Sequence, residues 1–185
     1  MQTLRVFESI SIDGYFTDAH DDMSWAHASQ GDAEFGKWVG QNASRGGTLL
    51  FGRKTYEQMV AFWPTPMAAQ QMPEVAKGMN AAKKFVASRT LKKPEWQNTQ
   101  LLKGSLTAAV KKLKAEDGPG ITVLGSGDVA AQLGKAGLVD EYQFVICPIA
   151  LGGGRTVFST GAQLKVIDQR FFAKSGNVVV TYAVV

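Results

Sequence analysis

A single cysteine, Cys147, occurs in these 185 residues. One thiol excludes an internal disulfide and a cysteine-based structural zinc site. It sits in an apolar run, where it reads as a small core hydrophobe. Histidine is almost as scarce. His20 and His27 share one polar segment and have no third ligand, so no metal site is expected. No apolar run is long enough to span a membrane, and the chain opens on a strand-like pattern with no signal peptide. A cytoplasmic protein with no membrane partner is the expectation. Repeats, low-complexity stretches and linkers are also missing, and the length suits one domain over residues 1–185. Charge is not concentrated: the formal net charge is +4, with Lys and Arg scattered apart from short pairs such as Lys83-Lys84 and Lys92-Lys93. Aromatic and basic residues are not interleaved, which argues against a nucleic-acid surface. A small anionic ligand such as a phosphorylated cofactor fits this balance at least as well.

What is present is organised around residues 121–137. Ile121-Thr-Val-Leu124 reads as a buried strand and Gly125-Ser-Gly127 as a glycine turn. Asp128-Val-Ala-Ala-Gln-Leu-Gly-Lys135 reads as a helix with Asp128 as its N-cap. A strand, a glycine turn and a helix make an anion site. Backbone N–H groups at the helix start point outward, the helix dipole adds partial positive charge, and glycine lets a phosphate come close. A Rossmann first unit is not indicated, because Asp140 and Glu141 come too early for its ribose-binding acid.

Two further strand ends carry the same chemistry. Thr48 to Phe51 reads as a strand, followed by Gly52-Arg53-Lys54-Thr55 and then a helix from Tyr56 to Phe62. Here two fixed cations and a hydroxyl stand at a helix start. Lys84 to Ala87 reads as a strand ending at Ser88-Arg89. The other strands are Thr3–Ile12, Thr99–Leu102 and Glu141–Pro148, and the other helices are Asp32–Ala43, with Asp32 as cap, a short one at Glu74–Asn80, and Leu106–Ala115. Thr17–Gly31, which holds Trp25, and the proline-containing Trp63–Pro73 read as loops. Gly152-Gly153-Gly154-Arg155 reads as a flexible turn, and Leu164–Phe172 with Asn177–Val184 as a C-terminal hairpin. Strands alternating with helices predict an α/β fold in three α/β/α layers: a mostly parallel central sheet with an antiparallel C-terminal hairpin.

The motifs Ser11-Ile-Asp13-Gly14, Phe51-Gly-Arg-Lys-Thr-Tyr56, Val86-Ala-Ser-Arg89, Val123-Leu-Gly-Ser-Gly127, Leu138-Val-Asp-Glu141 and Pro148-Ile-Ala-Leu-Gly-Gly-Gly-Arg-Thr-Val-Phe158 occur in that order along nearly the whole chain. Together they resemble the dihydrofolate reductase superfamily, in the bacterial branch related to the reductase domain of the bifunctional riboflavin-biosynthesis deaminase/reductase. The resemblance implies NADPH as cofactor. It implies that Gly52, Arg53, Lys54 and Thr55 hold phosphates, that Ser88 and Arg89 bind the 2′-phosphate, and that Gly125, Ser126, Gly127, Asp128 and Val129 line the pyrophosphate. Residues near Ser9 and Phe16 would meet the nicotinamide carboxamide. The activity implied is hydride transfer to a C=N or C=O bond of a small pterin, pyrimidine or similar heterocycle. Asp32, with Glu34 as alternative, matches the acid of folate reductases, and Trp25 the tryptophan of their mobile loop. Asp32 has a second reading as a simple helix cap. A homodimer is expected from the same resemblance. The other reading kept is a non-catalytic NADP(H)-binding protein on the same fold.

Overall fold

The computed structural model describes residues 1–27 and 31–185. Its strands are β1 (Leu4–Ser11), β2 (Tyr15–Thr17), β3 (Thr48–Gly52), β4 (Lys83–Ala87), β5 (Thr99–Leu101), β6 (Ile121–Leu124), β7 (Glu141–Cys147), β8 (Arg155–Thr156), β9 (Leu164–Phe171) and β10 (Val178–Val184). Its helices are α1 (Ala33–Ser44), α2 (Arg53–Phe62), α3 (Pro66–Gln71), α4 (Pro73–Ala81), α5 (Leu106–Ala115) and α6 (Gly127–Lys135), with one 3-10 turn at Ser24–His27.

Eight strands form one sheet in the order β5-β4-β3-β6-β1-β7-β10-β9. The first six run parallel to one another, and β10 and β9 close the sheet as the expected antiparallel hairpin. Strand alternation sorts the apolar residues onto two faces. Leu4 and Val6 of β1, Leu50 of β3, Val123 of β6 and Phe144 of β7 pack under Val110 and Leu113 of α5 and Val129, Ala130 and Leu133 of α6. On the other face Phe51 and Val86 pack with Tyr56, Val75, Met79 and Trp96. Further along that face, Val145, Cys147 and Val179 pack with Trp38 and Phe172. Cys147 is thus the expected core residue; burial pushes its thiol up to about 11.

Two departures from the sequence reading have local causes. Trp63–Pro73 is not a loop throughout, because Pro66 and Pro73 each occupy the first turn of a helix. Proline is at home there, since its missing N–H has no intrahelical partner to lose. The helix expected from Tyr56 starts at Arg53, so Arg53, Lys54 and Thr55 form its first turn.

Lys84 is wholly buried although it lies in a strand that opens on two lysines. Its ammonium donates to the carbonyls of Met79 (2.8 Å), Asn80 (3.2 Å) and Ala82 (2.7 Å) at the end of α4 and sits over the Trp96 ring. A cation at a helix C-terminus satisfies carbonyls that the helix leaves open. Lys84→Met keeps the stem and strands those acceptors. Denaturant unfolding should show a loss of roughly 1–3 kcal/mol.

Candidate functional site

The parallel strands put the ends of β3, β4 and β6 on one edge. Gly52 stands in register with Ala87, so Ser88-Arg89 lies beside Gly52-Arg53. Across β3, the N–H of Gly52 donates to Ser126 Oγ at 2.8 Å and ties the second glycine turn to the first. Val129 packs at the same junction: its methyl lies 3.3 Å from where a Cβ on Gly52 would stand. Likewise Thr55 Cγ2 lies 3.1 Å from where a Cβ on Gly125 would stand. The chain leaves β3 toward the α1–α4 face and leaves β6 toward the α5–α6 face. Adjacent strand ends whose chains depart to opposite faces form the crevice where open α/β sheets bind ligands.

Helices α2 and α6 start at this junction, and neither N-terminus has a side-chain cap. Asp32, Thr65 and Ser105 cap α1, α3 and α5, and α4, which follows α3 through Met72, has no side-chain cap either. The expected Asp128 cap is a correction: α6 begins at Gly127, with Ser126 as N-cap in the left-handed region (φ 67), and Asp128 lies inside the first turn. Ser126 aims its hydroxyl at Gly52, so the first N–H groups of α6 are left without a side-chain acceptor.

Charged groups surround the turn. The Arg155 guanidinium pairs with Asp128 and, at 3.4 Å, with Asp21, and lies 5.3 Å from the centre of the Phe16 ring. Lys54 reaches the same Asp21 at 3.7 Å. Arg53 pairs with Glu57 of its own helix at 2.8 Å. Arg89 is exposed and has no ion pair among the described residues, while Ser88 Oγ accepts the N–H groups of Thr90 and Leu91. Phe16 is buried, and its ring occupies the space that a side chain on Gly127 would need. β8 pairs with β2, and Gly154 passes so close to the Thr17 carbonyl that only glycine fits. Asp13 fixes this arrangement by accepting the N–H groups of Leu151 (3.1 Å) and Gly152 (2.7 Å). Hydrogen bonds from the Ser11 hydroxyl and from Gly152 hold its carboxyl down at about 2.

The residues expected to do the chemistry lie apart from this junction. Asp32 Oδ1 accepts the N–H groups of Glu34 and Phe35 (both 3.1 Å), and Oδ2 accepts that of Ser175 (3.0 Å) in the β9–β10 turn. Bonds from the Ser175 hydroxyl and the Phe35 N–H hold its carboxyl below the ordinary range. With both oxygens accepting backbone N–H groups, Asp32 here serves as a cap and a tether between α1 and the β9–β10 turn. Glu34 pairs with Arg170 of β9 at 2.9 Å. Trp25 donates from its indole to the Asp22 carbonyl and packs on the Trp38–Phe172 cluster.

Sequence reasoning missed a carboxyl close to the crevice. Glu8 of β1 is 3% exposed, on the face of Leu4 and Val6. One oxygen accepts the Ser9 N–H at 3.2 Å, and the other is buried without a partner. Burial pushes the group up to about 8. A lone acid at an inward position of an alternating apolar strand was the available signal. Arg155 was missed as well, because only the β2–β8 pairing brings it over Phe16.

Fold and edge define an α/β protein with an anion-ready crevice between two helix starts, of the dihydrofolate reductase-like kind. The chain belongs to the RibD C-terminal domain family, which matches residues 2–180. It is 27% identical over 177 residues to the uncharacterized protein YyaP of Bacillus subtilis (strain 168), covering 94% of this chain and 90% of that one. A Shewanella sp. PV-4 protein named for riboflavin biosynthesis has a similar fold, with a TM-score of 0.70 at 24% identity over 100% of this chain and 99% of that one. So does the Thermotoga maritima diaminohydroxyphosphoribosylaminopyrimidine deaminase/5-amino-6-(5-phosphoribosylamino)uracil reductase, with a TM-score of 0.66 at 14% identity. All of this chain matches 57% of that bifunctional protein. Among the described residues no helix is long and apolar enough to cross a membrane.

Two measurements check this geometry. A methyl at Gly127 collides with Phe16, so Gly127→Ala should cost roughly 1–3 kcal/mol of stability. The cost should shrink in a Phe16→Leu background, a coupling read from a double-mutant cycle. Glu8, raised when folded, binds more protons folded than unfolded between its ordinary value of 4.5 and about 8. Its contribution is present at low pH and lost as pH rises through that window, at up to about 1.4 kcal/mol per pH unit. Unfolding titrations should show this slope in the wild type and its absence in Glu8→Gln.

Proposed function

We propose that this protein is an NADPH-dependent reductase that delivers hydride to a C=N or C=O bond of a small pyrimidine, pterin or similar heterocycle. The observation that carries the reading is the pair of uncapped helix starts of α2 and α6, joined by the Gly52–Ser126 bond and ringed by Arg53, Lys54 and Arg155. Two helix N-termini and three cations suit a diphosphate. Ser88 and Arg89, one strand further out, suit a 2′-phosphate. NADPH, when bound, supplies the hydride. The chain's own residues grip the phosphates, seat the ring beside β1 and exclude water through the Phe16–Arg155 layer. The family of reductase domains supports this class of activity.

NADPH should raise the melting temperature, and NADH should do so much less. Ser88→Ala with Arg89→Ala should remove that difference. Arg53→Ala should weaken NADPH binding by roughly 1–3 kcal/mol, read by calorimetry. Unchanged affinity would remove Arg53 from the site.

A second reading, an NADP(H)-binding protein without turnover, draws on the saturation of Asp32. NADPH binding without oxidation across a panel of such heterocycles would favour it.

The proposal extends to a homodimer along β9. Among the described residues this strand is the outer edge of the sheet, and Val166, Ile167 and Phe171 are exposed on it. Such an edge pairs readily with a second copy. Light scattering should give a dimer mass, and Ile167→Lys with Phe171→Lys should give a monomer.

A further inference from the structure

Glu8 has no role in the fold that a neutral residue would not fill better. A buried carboxyl with one free oxygen is costly, and leucine would pack there without that cost. Its place is informative. The β1–β6 ladder ends at the pair Phe7–Leu124, and the Gly125 N–H closes it on the Phe7 carbonyl. Glu8 is therefore the first residue of β1 with β7 on one side and no strand on the other. It lies opposite Phe144 and, by alternation along β1, on the same face as Val6 and Ile10, whose cluster also holds Phe16 and Val129. This is the head of the crevice, next to the start of α6, where a dinucleotide gripped at Gly125–Asp128 would seat its ring.

We propose that Glu8 is the proton-bearing partner of the nicotinamide ring: its carboxyl stays protonated beside the neutral reduced ring and gives up its proton when the ring becomes cationic. This rests on the reductase reading above and deepens it. A cation within a few ångströms favours the ionised form of a carboxyl, and a neutral ring in a dry crevice favours the acid. In turnover, Glu8 donates to the nitrogen or oxygen of the bond being reduced as hydride reaches its carbon. The Glu8 O–H bond breaks and the product N–H or O–H bond forms. Two electrons would pass from cofactor to substrate with the hydride, and Glu8 would recover a proton from solvent once the oxidised dinucleotide leaves.

The other ionisable groups around this spot are accounted for. On β7, Tyr142 directs its hydroxyl toward Gly134, and Glu141 pairs with Arg5. Cys147 is on the opposite face. On α6 and β8, Asp128 and Arg155 pair with each other, and Lys135 lies at the far end of α6. On β2, the Tyr15 phenol makes no hydrogen bond to either Glu8 oxygen. None of these has a hydrogen bond or ion pair to Glu8.

The test is proton-linked calorimetry on the whole chain. NADP⁺ and NADPH are each titrated at pH 7 in two buffers of different ionisation enthalpy. The 2′-phosphate titrates in both dinucleotides, so the difference between them isolates the ring. The wild type should release close to one proton more with NADP⁺ than with NADPH, and Glu8→Gln should show no difference. NADP⁺ affinity should rise with pH between 6 and 8, by up to about tenfold per unit relative to NADPH, and the variant should be flat. Equal proton counts for the two dinucleotides in the wild type overturn the proposal and leave the reductase reading standing, and that result needs no variant. A difference that persists in Glu8→Gln overturns it too. If neither dinucleotide binds the wild type, the reductase reading fails and takes this proposal with it.

Discussion

The bond from the Gly52 N–H to Ser126 Oγ fixes the distance between two helix starts, and the site depends on that distance. A serine at a helix start ordinarily turns its hydroxyl back onto its own helix. Here the left-handed conformation of Ser126 aims the hydroxyl across the sheet to β3. One hydroxyl thus joins two strands and leaves the start of α6 open. Non-glycine residues held in this region carry strain that the surrounding structure must hold in place, and such strain concentrates at functional sites.

The neighbouring ion pairs follow from that opening. Two bare helix N-termini and several cations within one crevice repel each other, and carboxylates answer them locally. Asp21 serves both Lys54 and Arg155, and Asp128 serves Arg155. These groups are exposed, so their pairing is weak and salt-sensitive. A bound diphosphate can take over the roles of these carboxylates at little cost. The Phe16 ring beneath Arg155 keeps the guanidinium over the crevice whichever anion it faces.

Much of the scaffold was legible. β-branched runs ending in glycine marked β3 and β6, and the parallel order followed from helices alternating with strands. The meeting of Gly52–Thr55, Ser88-Arg89 and Gly125–Gly127 at one sheet edge was legible for the same reason: glycine, hydroxyl and charge stand where a strand stops. Asp128 was misread because residue type alone favours it as a cap. The actual helix start was set by two successive left-handed residues, Gly125 and Ser126, which composition does not reveal. Pro66 and Pro73 looked like breakers because a proline that ends a helix and one that begins it are the same letter. Arg155 could not be placed without the short β2–β8 pairing.

The acid is the instructive case. Likeness to folate reductases pointed to the start of α1, yet Asp32 there answers to its own helix and to the β9–β10 turn. Three N–H groups fall on one carboxylate, and they favour its ionised form. Moving it to deliver a proton would uncap α1 and release Ser175 together. A carboxyl suited to proton delivery needs the reverse: few bonds, a dry setting and a raised tendency to hold its proton. Among the described carboxyls only Glu8 combines burial with an oxygen that has no partner. The two acids divide by what surrounds them: three hydrogen bonds tie Asp32 into the structure, while Glu8 accepts one and keeps a buried oxygen without a partner.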